Sequence, residues 1–120
     1  MEIRKINLNG NEYQFVNNSR NTRNGFAHDT TLFINNCKHG EASCHYLNRT
    51  WESYRYQTVM QRCISNIINA NEEDYIAVYK ADNDIKRLTA EKRGQIIKEF
   101  YEQENIKELL EVYELLKYSI

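Results

Sequence analysis

Residues 3–16 read IRKINLNGNEYQFV. At the centre, Asn9-Gly10 supplies the positive φ values that a two-residue type I′ turn demands. Alternating residues on either side complete the pattern of a β-hairpin. A two-residue turn leaves one register, because a slip of one position would send every side chain to the opposite face. That register sets Leu8, Ile6 and Arg4 on the face of Asn11, Tyr13 and Phe15.

Working outward, residues 17–25 contain no apolar side chain before Phe26 and read as an exposed loop. Residues 26–34 read as a third strand, with Phe26, His28, Thr30, Leu32 and Ile34 on one face. Residues 35–40 read as a turn and residues 41–51 as a fourth strand. One face of that strand carries Ala42, Cys44, Tyr46 and Asn48, and the other Ser43, His45, Leu47, Arg49 and Trp51. Next comes the strongest helical stripe, formed by Tyr56, Val59, Met60, Cys63, Ile64, Ile67 and Ile68, with Ser53 placed to cap it.

Everything after residue 70 predicts helix. Asn71 is placed to cap a run opening with Glu72-Glu73-Asp74, where carboxylates complement the helix dipole. Thr89 is placed to cap a second helix with Ile96, Ile97 and Phe100 inside, weakened by Gly94 at its middle. Ile106, Leu109, Leu110, Tyr113, Leu116 and Ile120 form a third stripe, and Asn105 either separates the last two helices or kinks one. The expected fold is α+β: a four-stranded antiparallel sheet with one packed helix, followed by two or three C-terminal helices. Residues 1–70 form a ββββα core, and residues 71–120 an acidic helical extension packed on it as one domain.

Composition narrows the classes. The chain has 120 residues, 41% of them hydrophobic, with four glycines and no proline, which excludes collagen, proline-rich and low-complexity architectures. No apolar run reaches the roughly 20 residues that span a bilayer, and the N-terminus lacks the apolar stretch of a signal peptide. Three cysteines, an odd number, then point to free thiols in a reducing cytoplasm. The net charge of −1 hides a division. Residues 1–71 hold eight Lys/Arg against five Asp/Glu, and residues 72–120 hold eight against twelve. The first part is therefore +3 and mostly arginine, the residue that matches phosphate and carboxylate, while the second is −4.

Four groupings carry chemistry. Cys37, His39, Cys44 and His45 are soft ligands, but their spacing matches neither knuckle of a zinc site, and adjacent Cys44 and His45 point to opposite faces of a strand. Small buried thiols and surface imidazoles are expected there, with no metal and no cofactor. Cys63 falls in an apolar stripe and is expected to be inert. No phosphate-binding glycine loop and no H-E-x-x-H motif occurs. Arg20 and Arg23 in the polar stretch, with Arg49, Tyr54 and Arg55 farther on, combine cations with aromatics, which is the chemistry of nucleic-acid contact. The glutamates of the C-terminal helices, Glu102 and Glu108 among them, offer an ordered carboxylate surface to a basic protein groove.

Residues 44–59, CHYLNRTWESYRYQTV, resemble a YxNRTWExYxYQTV segment of small proteins from bacteriophages and mobile elements of Gram-positive bacteria. The resemblance covers about residues 1–70 and carries no catalytic residue with it. It implies a small non-catalytic protein that blocks a host defence effector in the manner of an anti-CRISPR, with a Cas-type nuclease as the favoured partner. The candidate contact residues are Arg20, Arg23, Arg49, Tyr54, Arg55, Glu102 and Glu108. The alternative is an accessory protein that binds nucleic acid directly through its arginines.

Overall fold

Asn9 at φ 53° and Gly10 at φ 82° close the first turn, as the Asn-Gly pair dictates. The computed structural model describes residues 1–46 and 56–118. Strand β1 (Glu2–Leu8) runs antiparallel to β2 (Asn11–Thr22) in the expected register, with Leu8 opposite Asn11, Ile6 opposite Tyr13 and Arg4 opposite Phe15.

Strand β2 does not stop at residue 16. The stretch expected to be a loop continues as strand to Thr22 and turns directly into β3 (Gly25–Ile34). A polar sequence does not forbid a strand whose backbone is paired along one side. Asn17 is even fully buried, against the expectation that nothing in this stretch lies in the core. The second correction is at Asn35-Asn36, with φ of 50° and 67°. These asparagines tolerate left-handed backbone and make a second two-residue turn, so β4 (Cys37–Tyr46) starts four residues before the expected strand. A register shift between Leu32 and Phe33 pairs Phe33 with Lys38 and Leu32 with Gly40, leaving His39 as the extra residue of a bulge. The expected end of this strand at residue 51 and the expected cap Ser53 lie outside the described residues.

The sheet order is β1-β2-β3-β4, a plain meander. Its inner face is covered by α1 (Gln57–Asp82), whose buried residues are Val59, Met60, Cys63, Ile64, Ile68 and Ile76. This 26-residue helix replaces the two helices expected on either side of Asn71. Asn71 has no capping role, because Ile68 before it and Ile76 after it lie on one buried stripe that holds the helix straight through. Thr89 does cap α2 (Ala90–Tyr101), accepting from the Lys92 amide at 3.2 Å. The chain breaks at Glu102 and Gln103 rather than at Asn105, and α3 (Glu104–Leu116) follows as a separate helix.

One apolar core runs through all of this. Ile6, Tyr13, Phe15 and Leu32 of the sheet meet Met60, Cys63, Ile64 and Ile68 of α1. Phe100 of α2 and Ile106, Leu109, Val112 and Leu116 of α3 join the same cluster. Gln61 of α1 donates to the Tyr113 carbonyl of α3 at 3.2 Å, and the Tyr101 hydroxyl donates to Glu72 at 3.1 Å. No helix among the described residues is long and apolar enough to cross a membrane.

Candidate functional site

The β2–β3 hairpin reaches past the end of β1, whose pairing with β2 stops at Asn17. Arg20 therefore stands on a paired strand, where β2 is not covered by β1 but β3 is still paired with β4, and Arg23 stands in the hairpin turn, instead of both lying on a loop. Arg23 is exposed at the tip. Arg20 is on the outer face, with its Nε 2.9 Å from Asp29 Oδ2. Asp29 also accepts from the Ser43 hydroxyl on β4. Partial burial works against the Asp29 charge, but the Ser43 and Arg20 hydrogen bonds and the Arg20 guanidinium hold its carboxyl below the usual carboxylate range. Exposed as it is, this pair contributes little stability, and it partly neutralises the arginine that was to meet a partner. Arg49, Tyr54 and Arg55 lie outside the described residues.

The inner face of the same hairpin is aromatic. His28 is buried, with its Nδ1 2.7 Å from the Ser19 hydroxyl, which is in turn 2.8 Å from the Tyr56 hydroxyl. The His28 ring packs edge-on against Phe26 and Tyr46, with centroids 5.2 and 5.5 Å away, and tilted against Tyr56 at 4.6 Å. This network ties the hairpin to the first turn of α1 by hydrogen bonds and ring contacts together.

The Cys/His grouping disperses. Cys44 is buried on the inner face opposite His28, while Cys37 and His39 are exposed. His45 faces outward, with its Nε2 2.6 Å from the Thr22 hydroxyl. Among the described residues no three His, Cys, Asp or Glu side chains gather as metal ligands would. Burial pushes the Cys63 thiol up to about 11, which keeps it protonated and unreactive.

The two glutamates singled out in the sequence part company. Glu102 is exposed at the end of α2, beside exposed Glu99 and Glu104. Glu108 instead turns toward the first hairpin. Its carboxylate accepts from the Tyr13 hydroxyl, from Asn11 Nδ2 at 2.6 Å and from Asn9 Nδ2 at 3.3 Å. The Tyr13 hydrogen bond, opposed by partial burial and helped by the two asparagines, holds the Glu108 carboxyl below its ordinary value. Burial and the neighbouring carboxylate push the Tyr13 phenol up. Tyr13, Asn11 and Asn9 are the partners that the sequence did not reveal. The hairpin register places Asn11 and Tyr13 on one face, but only the packing of α3 says which carboxylate they meet. A cleft of ≈ 550 Å³ opens beside this clasp, with polar Asn11, Asn71 and Glu108 and apolar Ile34, Ile67 and Leu109 in its lining.

No family model, curated protein or solved structure matches the chain.

Proposed function

We propose that the chain is a non-enzymatic binding protein that docks on a nucleic-acid-handling effector of host defence, with a Cas-type nuclease as the target class. The observation that carries this reading is the corner between α2 and α3. Residues 99–106 hold three exposed carboxylates, Glu99, Glu102 and Glu104, flanked by Lys98 and Lys107, with Lys107 Nζ 3.8 Å from Glu104 Oε1. Two helices anchored in the core by Phe100 and Ile106 hold this corner, so the negative surface is ordered before it meets anything. Glu99 and Glu102, three positions apart at the end of α2, are neighbours about 5–6 Å apart, and Glu104 opens α3 across the break. A basic groove built for phosphates is electrostatically complementary to such a surface.

The test is a pull-down and titration with purified Cas-type effectors, with and without their nucleic acid. Binding that nucleic acid displaces, and that reversal of Glu99, Glu102 and Glu104 to lysine abolishes, supports the reading. Binding that ignores the reversal contradicts it.

A second reading has its own observation. Arg20 and Arg23 stand near the end of the β2–β3 hairpin, which outruns β1 and stays paired with β4 as far as Phe26–Tyr46, so β2 offers an edge there that β1 does not cover. Direct nucleic-acid binding through this tip predicts a gel shift that falls steeply with salt and is lost on Arg23→Ala.

A further inference from the structure

The chain holds two Asn-Gly pairs, Asn9-Gly10 and Asn24-Gly25, and each falls at a two-residue hairpin turn. Such a pair has a slow chemistry of its own. The glycine nitrogen attacks the side-chain carbonyl carbon of the asparagine, the bond from that carbon to the amide nitrogen breaks, and ammonia leaves. The five-membered imide then takes up water and opens at either carbonyl, to aspartate or to isoaspartate. Glycine favours the attack because no Cβ hinders its nitrogen or its backbone. Water enters and ammonia leaves, so the step needs no oxidant or reductant.

The two turns do not offer the same nitrogen. Gly25 opens β3 and pairs with Thr22, so its nitrogen belongs to the closing pair of the ladder. Gly10 is the second residue of its turn, inside the closing pair of Leu8 and Asn11, and stands in no ladder pair. Asn9 and Gly10 are both exposed. To react, the Asn9 side chain must swing onto the Gly10 nitrogen and release Glu108 Oε2. That hydrogen bond is 3.3 Å long and lies between exposed atoms, so it is a weak restraint.

The product falls on the clasp between the first hairpin and α3. Asn9 is a donor there. An aspartate donates nothing, and its carboxylate would stand beside a second carboxylate that is held in its ionised form. Like charges at that separation repel. Isoaspartate also adds a methylene to the main chain of a turn whose length sets the register of β1 on β2. Glu108 keeps Tyr13 and Asn11, so the clasp is loosened and not undone.

We propose that Asn9 is a deamidation site that reacts before Asn24, and that its conversion loosens the attachment of α3 to the first hairpin. The change is one-way and needs no partner. It acts on the joint between the basic and acidic halves of the chain, away from the corner at Glu99, Glu102 and Glu104.

Peptide mass mapping of the native chain, aged in mildly alkaline buffer, reads the site. Trypsin places Asn9 in residues 6–20 and Asn24 in residues 24–38. The first peptide is expected to gain one mass unit before the second and to split into aspartate and isoaspartate forms, with fragmentation assigning the gain to Asn9. A gain that comes first at Asn24, or at neither pair, overturns the proposal. Urea denaturation of Asn9→Asp, the aspartate product made directly, reads the consequence. Its midpoint is expected to fall below that of the native chain. In a Glu108→Gln background, where the facing charge is gone, the same substitution is expected to move the midpoint about half as far or less. Equal shifts in the two backgrounds, or no shift in the native one, overturn the link to the clasp.

Discussion

The carboxylate of Glu108 on α3 accepts a hydrogen bond from the hydroxyl of Tyr13 on β2, ninety-five positions away in the chain. This contact, with Asn9 and Asn11 beside it, fastens the last helix to the first hairpin. It joins the two halves that differ in charge, and it turns a glutamate that reads as surface into part of the frame.

Removing either member should cost stability unequally. Tyr13→Phe deletes one charge-assisted bond and leaves Glu108 its two asparagines, an expected loss of about 1–2 kcal/mol. Glu108→Ala strands a buried phenol and two amides, an expected loss of about 1–3 kcal/mol. The double variant should lose less than the sum, because both changes break one contact. Urea denaturation with an unchanged slope is the measurement.

The clasp also sets a pH window. Glu108 is held below its ordinary value of 4.5, so its contribution is present above that value and is lost as pH falls through the lower folded one. Asp29, also held low, adds to the acid side. Tyr13 is pushed above its ordinary 10.0, so its contribution is present below that pH and is lost as pH rises further. Tyr46 and Tyr101 are raised by burial first, and add to the alkaline side. Thermal melting across pH should show both shoulders, and Tyr13→Phe should shrink the alkaline one.

Two glycines should respond with opposite sign. A Cβ on Gly40 would lie 2.9 Å from Ile67 Cγ1 and 3.1 Å from its Cδ1. Ile67 is β-branched on a helix and cannot swing away freely. Gly40→Ala should therefore destabilise by about 1–3 kcal/mol, and Ile67→Ala should relieve part of that loss. A Cβ on Gly94, inside α2, meets nothing within 4 Å. Gly94→Ala should stabilise by about 0.5–1 kcal/mol. Melting temperatures of the three variants decide both.

Thr30 offers a third kind of change. Its hydroxyl is buried without a hydrogen-bond partner among the described residues. Thr30→Val keeps the shape, suits a strand, and removes a desolvated polar group. The expected outcome is no loss, or a gain of up to about 1 kcal/mol, in the same denaturation assay.

The hairpin at Asn9-Gly10 was legible because turn chemistry and alternation agree there, and Thr89 because a cap is a local signal. The strand from residue 17 to Thr22 was not, because alternation is visible only when one face is apolar. Here the inward positions are Asn17, Ser19 and Asn21, and Asn17 is buried through its neighbours rather than its own hydrophobicity. Asn71 looked like a cap because an asparagine precedes an acidic run. Packing on both sides of it outweighs that local preference in α1. Of the candidate site, Glu102 and Arg23 stand exposed on the surface. Glu108 does not, since nothing in its helical spacing reveals that Tyr13 lies opposite.

The central claim is that a rigid acidic corner competes with nucleic acid for a basic groove. Its most direct measurement is the affinity of the native chain for a panel of purified Cas-type effectors, each assayed empty and loaded with nucleic acid. The expected result is tight binding to at least one empty effector, weakened at least tenfold by nucleic acid, and lost when Glu99, Glu102 and Glu104 are reversed to lysine. Absence of binding across the panel, or binding indifferent both to nucleic acid and to the charge reversal, would contradict it.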